Sequence, residues 1–303
     1  MGAICGSIVL FAINFNQNYR LSYAPPPMAS YIVLASLEVL GAFCALLLVP
    51  FANVHREVMC IRSYDFLDAR IEAYEMLYMF RDRWILVLIP LFLVSNFFYT
   101  YQWTLVNGAT FNLRTRAFNS IIYWTSQILA AFAISFLHDY KHLPRRWRGT
   151  ISLVIVTMLT CIVWGCSLAY QLVHLDSPLT GRADAATDSL IDFTQFKRSG
   201  IPTTLFFSMG VVAALWQSLA YWLIGTMSED SAMIARYAGF HKSIQSMGAM
   251  VAWQLEAQSV SFMVQIIVNW SLVVAALPPT LYFTLNIKNE RQEKYPMNFI
   301  DIA

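Results

Sequence analysis

Long apolar runs bounded by charge dominate this chain. From Trp84 to Leu113 there is no Asp, Glu, Lys or Arg, and the same holds for 117–138, 149–173, 199–228 and 257–287. A helix rising about 1.5 Å per residue needs ~20 apolar residues to cross a hydrocarbon layer of ~30 Å. The runs therefore predict spans near 84–106, 117–138, 149–173, 203–227 and 263–285. Two less clean runs, 31–51 with Glu38 and 237–255 with Lys242, also read as spans. Met1–Phe15 is apolar but too short to cross unaided, and it lacks the basic n-region and A-x-A-like site of a signal peptide. It reads as the end of a truncated helix. Pro25-Pro26-Pro27 then stops any helix. A membrane barrel would show ~10-residue alternating segments instead. The expected fold class is all-α, a polytopic transmembrane helix bundle of seven full spans and a stub.

Composition agrees. The 303 residues are 58% hydrophobic and 13% charged, with a mean hydropathy of +0.53. Soluble domains carry about 45–50% apolar and about 25% charged residues. There is too little polar material to cover a water-soluble core, so the lipid bilayer is the first expected partner. A net charge of +2 with no Lys/Arg block leaves no nucleic-acid footprint. Cys5, Cys44, Cys60, Cys161 and Cys166 form no CxxC pair and read as small core hydrophobes.

Charge also sets the expected orientation, because cytoplasmic loops are rich in Lys and Arg. Alternating the loops puts thirteen Lys and Arg on one side, in 52–83, 139–149, Arg236 and the tail, against six on the other. That assigns the C-terminal tail to the cytoplasm. Within 52–83, Leu67, Ile71, Tyr74 and Tyr78 recur at helical spacing with Asp68, Glu72 and Glu75 between them, which predicts an amphipathic helix. The loop 174–200, with Asp176, Asp184, Asp188 and Asp192, is expected to be solvated.

Polar residues at membrane depth must find a partner or face water, so they carry the functional information. They recur at helical spacing: Asn96, Tyr99, Thr100, Trp103 and Asn107, then Asn119, Tyr123 and Gln127. Further on come Ser208, Gln217 and Tyr221, then His241, Lys242, Gln245 and Ser246, and last Gln265 and Asn269. Interhelical hydrogen bonding and a hydrated central cavity both account for such stripes. The residues expected to line a cavity are Asn96, Thr100, Trp103, Asn119, Tyr123, Gln127, Gln217, Tyr221, Lys242 and Gln245. Lys242 either snorkels to the interface or holds an anionic group or a coupling charge. Glu38 is the one carboxylate expected within a span.

HExxH, GxSxG, Walker and GxGxxG motifs are absent, so neither an enzyme nor a bound cofactor or metal is expected. His138 and His142 are spaced i, i+4 but straddle a span end, and read as interfacial side chains.

Ser135-Phe136-Leu137-His138-Asp139-Tyr140 followed by Arg145-Arg146-Trp147-Arg148 resembles the cytoplasmic-loop signature of the major facilitator superfamily, with Ser135 where Gly is usual and a longer gap from acid to arginines. Longer strings are similar to its uncoordinated-93-like members, especially fungal ones. They are Ser95–Gln102, Asn112–Asn119, Tyr123–Gln127, Trp216–Gly225 and Ala235–Ser246 with Ala252-Trp253. The resemblance implies a division of the chain. Residues 1–51 would be a remnant of an N-terminal half, with the end of helix five and helix six. Residues 52–83 would be the cytoplasmic linker, 84–286 a complete C-terminal half of helices seven to twelve, and 287–303 a cytoplasmic tail. Asp139, Arg145 and Arg146 would be the loop motif. The resemblance further implies alternating access, in which two six-helix halves rock about a midplane site for a small solute. Helices one to four are missing from that pattern, so a truncated gene model, a fragment or a degenerate copy is expected. The competing reading is a non-transporting regulator or trafficking partner of another membrane protein.

Overall fold

The computed structural model describes residues 2–16, 27–47, 69–174 and 190–287. Residues 52–68 of the expected linker, Asp176, Asp184 and Asp188, Cys60 and the tail from 288 lie outside the described residues. Nine helices make up most of what is described. They are α1 Gly2–Asn14, α2 Met28–Leu46, α3 Ala69–Tyr78, α4 Arg83–Ala109, α5 Leu113–His138, α6 Arg145–His174, α7 Phe196–Gly225, α8 Ser231–Ala257 and α9 Phe262–Leu285. Among the described residues, six of them (α2, α4, α5, α6, α7 and α9) are long and apolar enough to cross a membrane. The protein is an all-helical, multi-pass integral membrane protein.

Helix starts are set by short polar side chains that satisfy otherwise orphaned backbone N–H groups. Asp82 accepts from the amide of Trp84, Asn112 from Thr115, Asp230 from Ala232 and Ser261 from Val264. Outward faces carry Phe132, Phe136, Met158, Ile162, Ile267 and Tyr282, all exposed, as lipid contact requires. Inward faces bury Ile85, Leu88, Phe92, Trp164, Phe206 and Trp216 in one core.

Two glycines fix the closest helix crossings. A Cβ on Gly210 of α7 would run into Ser126 Oγ and lie 2.8 Å from the Tyr123 carbonyl oxygen of α5. One on Gly248 of α8 would meet the Leu93 carbonyl oxygen of α4. Helix α1 lies along α5, with Phe11 against Phe118 and Phe193. Helix α2 is almost wholly exposed and is tied to α1 through Asn14 and Ser30 at 3.4 Å.

Several expectations change. Helix α8 starts at Ser231 rather than near 237, so Lys242 sits about three turns inside it rather than about a turn and a half. Its polar residues also make α8 the least apolar of the long helices, outside the six above. From Gln102 to Ala109, α4 runs as a π-helix, whose i→i+5 bonding widens the turn. The stripe drawn at ordinary helical spacing therefore drifts off one face beyond Thr100. Helix α3 exists, but Tyr74 and Tyr78 are exposed while Met76 and Met79 pack inward and Glu75 faces Arg236 at 3.7 Å. Its inward face is thus not the expected one. Cys5, Cys44, Cys161 and Cys166 are exposed rather than in the core, because a membrane lets small apolar side chains face outward. Glu38 lies on the exposed side of α2.

Candidate functional site

The mid-span polar groups of α4, α5 and α7 converge on one hydroxyl. Gln127 Nε2 and Gln217 Nε2 each donate to Tyr99 Oη at 3.2 Å. Gln217 Nε2 also reaches Asn96 Oδ1 at 3.3 Å. A second chain crosses from α4 to α8. Gln245 Nε2 donates to Ser95 Oγ at 2.9 Å, and Lys242 Nζ donates to Gln245 Oε1 at 2.7 Å. The Lys242 ammonium lies 5.6 Å from the centre of the Tyr221 ring. Behind it, His241 is fully buried between Phe92 and Tyr221, and neither ring nitrogen has a hydrogen-bond partner.

A groove of about 350 Å³ opens beside this cluster. Its walls come from α1, α5 and α7, with Ile4, Trp124, Gln127, Ile128, Gln217 and Tyr221 the larger side chains. An apolar, aromatic cleft with a few convergent amides is the ordinary architecture of a small-solute site.

Of the ten residues expected to line a cavity, Asn96, Gln127 and Gln217 meet at Tyr99, and Tyr221, Lys242 and Gln245 form the adjoining chain. Tyr123 adjoins the cluster, its ring centre 6.1 Å from that of Tyr99, and the other three lie elsewhere. Tyr123 is buried and donates to Gln102 Oε1 at 2.7 Å. Trp103 packs edge-on against Tyr123 and Phe206. Asn119 is buried, donating to Asn107 Oδ1 at 3.2 Å and accepting from Thr203 Oγ1 at 3.4 Å. Thr100 is buried with its hydroxyl unpartnered. Sequence reasoning left out Tyr99, the shared acceptor, although it falls one turn from Asn96 on the same stripe. It also missed Ser95 and Gln102, whose partners lie on other helices.

The loop motif is arranged differently from the expectation. Arg148, not Arg145 or Arg146, is the buried arginine. Its Nη1 donates to the His138 carbonyl at 2.7 Å, closing the C-terminus of α5. Arg146 lies over the Trp147 ring, and Arg145 and Asp139 line an open cleft of about 390 Å³ with Lys141 and Trp222. His138 is buried rather than interfacial, bonded to Ser152 Oγ at 3.0 Å and stacked on Trp222.

At the other end of the bundle Asp192 is buried, contrary to the expectation of a solvated loop. Its Oδ2 accepts from Asn112 Nδ2 and Arg114 Nε, both at 2.6 Å, and its Oδ1 from the amide and hydroxyl of Thr194. Burial alone would raise this carboxyl, but Arg114, Thr194 and Asn112 together hold it well below the usual carboxylate range. The Asn112 amide and the Ile191 amide complete the joint, donating to the carbonyls of Ile191 and Thr110.

Comparison with known proteins finds relatives over nearly the whole chain. UNC93-like protein 1 of Arabidopsis thaliana is 34% identical over 295 residues, covering 97% of this chain and 62% of its own length. A Schizosaccharomyces pombe UNC93-like protein is 32% identical over 282 residues, covering 91% of this chain and 54% of its own. Notoamide biosynthesis cluster protein O' of Aspergillus versicolor is 22% identical over 289 residues, 59% of its length. The chain thus spans about three-fifths of the length of these relatives. No family model matches the chain, and no solved structure does.

Proposed function

Because the chain belongs to the UNC93-like family of membrane proteins, we propose that it forms the solute-handling part of a secondary transporter, which moves a small solute by alternating access. The observation that carries this reading is the polar chain at mid-membrane. Lys242, Gln245 and Ser95 cross from α8 to α4 beside an open groove, and Gln127 and Gln217 meet there on Tyr99. A cation about three turns inside a helix is costly in lipid and marks a hydrated path by default. A bundle held only by interhelical hydrogen bonds has no need of one. The site residues proposed are Asn96, Tyr99, Gln127, Gln217, Tyr221, Lys242 and Gln245.

The major facilitator arrangement belongs to the same proposal. In it α4–α9 are one six-helix half, and α1 and α2 are parts of the other. The basic end of the bundle, with Lys141, Arg145, Arg146 and Arg148, is placed in the cytoplasm. Transport is then measured for the complete protein in proteoliposomes. Lys242→Ala should abolish it and Lys242→Arg should retain it. Undiminished transport by Lys242→Ala sinks the assignment.

A regulatory role is the second reading, and one observation favours it. The apolar side chains of α2 (Met28, Tyr31, Ile32, Val39, Leu40 and Phe43) are exposed along its whole length, as a face that docks on another membrane protein would be. Co-purification of one membrane protein at fixed stoichiometry, lost when α2 is made polar-faced, would support it.

A further inference from the structure

The groove beside Tyr99 has a charge imbalance that points to the kind of solute it takes. None of its lining side chains is acidic or basic. Among the described residues, the Lys242 ammonium stands outside this lining and overlies the ring of Tyr221, a lining residue. That ammonium has three N–H donors. One goes to Gln245 Oε1, a neutral acceptor, and among the described residues no carboxylate lies within ion-pair distance of it. Among the described residues, the Arg114–Asp192 and Arg236–Glu75 ion pairs do not include it.

A cation with no carboxylate beside it attracts anions and repels cations, and both effects strengthen as water leaves the site. Two features describe the rest of the solute. Trp124, Ile128 and Tyr221 give flat apolar walls suited to stacking. A volume of about 350 Å³ sits at the lower end of ligand-pocket sizes, which run to ~1,000 Å³. We propose that the groove recognises a small organic monoanion, a carboxylate on a flat apolar body, with Lys242 as its counter-charge and Gln245 as the residue that positions Lys242. This rests on the transport reading and narrows it, since a cationic solute is excluded from the same site.

The test uses the full chain in nanodiscs of uncharged phosphatidylcholine, with tryptophan fluorescence as the binding signal. Benzoate, benzamide and benzylamine serve as probes, because they share one ring and differ in charge. Benzoate should bind at least about tenfold tighter than either of the others. Lys242→Gln should erase the preference and Lys242→Arg keep it. Benzylamine binding as tightly as benzoate, a preference that survives Lys242→Gln, or no saturable benzoate binding in the millimolar range each overturns the proposal. The two readings fail separately. Anion preference without Lys242-dependent transport leaves the solute class standing and removes the transporter, and Lys242-dependent transport with amine preference does the reverse.

Discussion

Asp192→Asn tests how the bundle is closed at the end opposite the basic one. The carboxylate takes two donors at each oxygen, Asn112 and Arg114 at Oδ2 and Thr194 twice at Oδ1. An amide of the same shape has one acceptor. With its oxygen toward Thr194, the new NH₂ group faces both Arg114 Nε–H and Asn112 Nδ2–H. With its oxygen toward Arg114, the NH₂ group faces the Thr194 amide, while the Thr194 hydroxyl turns to accept. The second arrangement costs less. Thr194 is exposed, so its amide can turn to water. What is lost is chiefly the charge in the Arg114 bond, where a charged hydrogen bond is worth ~1.5–3 kcal/mol and a neutral one ~0.5–1.5. The pair is well shielded, with Arg114 at 16% exposure and Asp192 at 6%. The net cost is then ~2 kcal/mol, or ~3 °C in the unfolding midpoint of a chain of 303 residues. Thermal unfolding in detergent, followed by far-ultraviolet circular dichroism, reads it directly. The sign with pH follows from the depressed carboxyl. Asp192 is ionised in both states above its ordinary value of about 4, so its contribution is complete there. Below about pH 4 only the unfolded chain takes up the proton, and the contribution fades as pH falls toward the folded value. The gap between wild type and variant should therefore narrow in acid. A shift under ~1 °C at neutral pH, or a gap that stays constant down to pH 3, refutes the reasoning.

Three further outcomes are expected from the same unfolding assay. Gly248→Ala drives a methyl group into the Leu93 carbonyl, a backbone atom that cannot swing away, and should cost ~1–3 kcal/mol; an unchanged midpoint would mean that α4 and α8 are not so close. Ser259 sits at φ 60° after α8, where Ser259 N–H donates to Glu256 and Val260 N–H to Leu255, so Ser259→Gly should stabilise by ~0.5 kcal/mol once the freer unfolded chain is discounted, and a loss would contradict that turn. Tyr99→Phe removes the acceptor shared by Gln127 and Gln217 and should cost ~1–2 kcal/mol, whereas a neutral result would show that water replaces it freely.

Much of the fold was legible because membrane spans announce themselves by local composition. The run from 117 to 138 needed no knowledge of its neighbours to be read as a helix. Sites were less legible, because a polar stripe tells which face is polar but not which helix it meets. Gln127 and Gln217 lie 28 and 118 residues from Tyr99, on two other helices. Asn107 and Trp103 were misplaced for a local reason, since the π-helical stretch after Tyr101 breaks the period on which the stripe was drawn. Asp192 misled in another way. An acid in a polar loop reads as solvated unless its partners are known, and here they lie 78 and 80 residues upstream. Arg148 was within the quoted motif, yet only tertiary packing distinguishes the one arginine that turns inward from the two that do not.

The separation between Arg114 and Asp192 has a meaning in time. At a synthesis rate of ~5–20 residues per second, the 78 residues between them take ~4–16 s to emerge. Helix α6 is made during that interval, and the turn between α4 and α5 meets its Asp192 partner only when the chain leading into α7 emerges. The joint at Asp192 thus forms only once α4, α5 and α6 have been made, and α8 and α9 are added to a bundle already tied at that end.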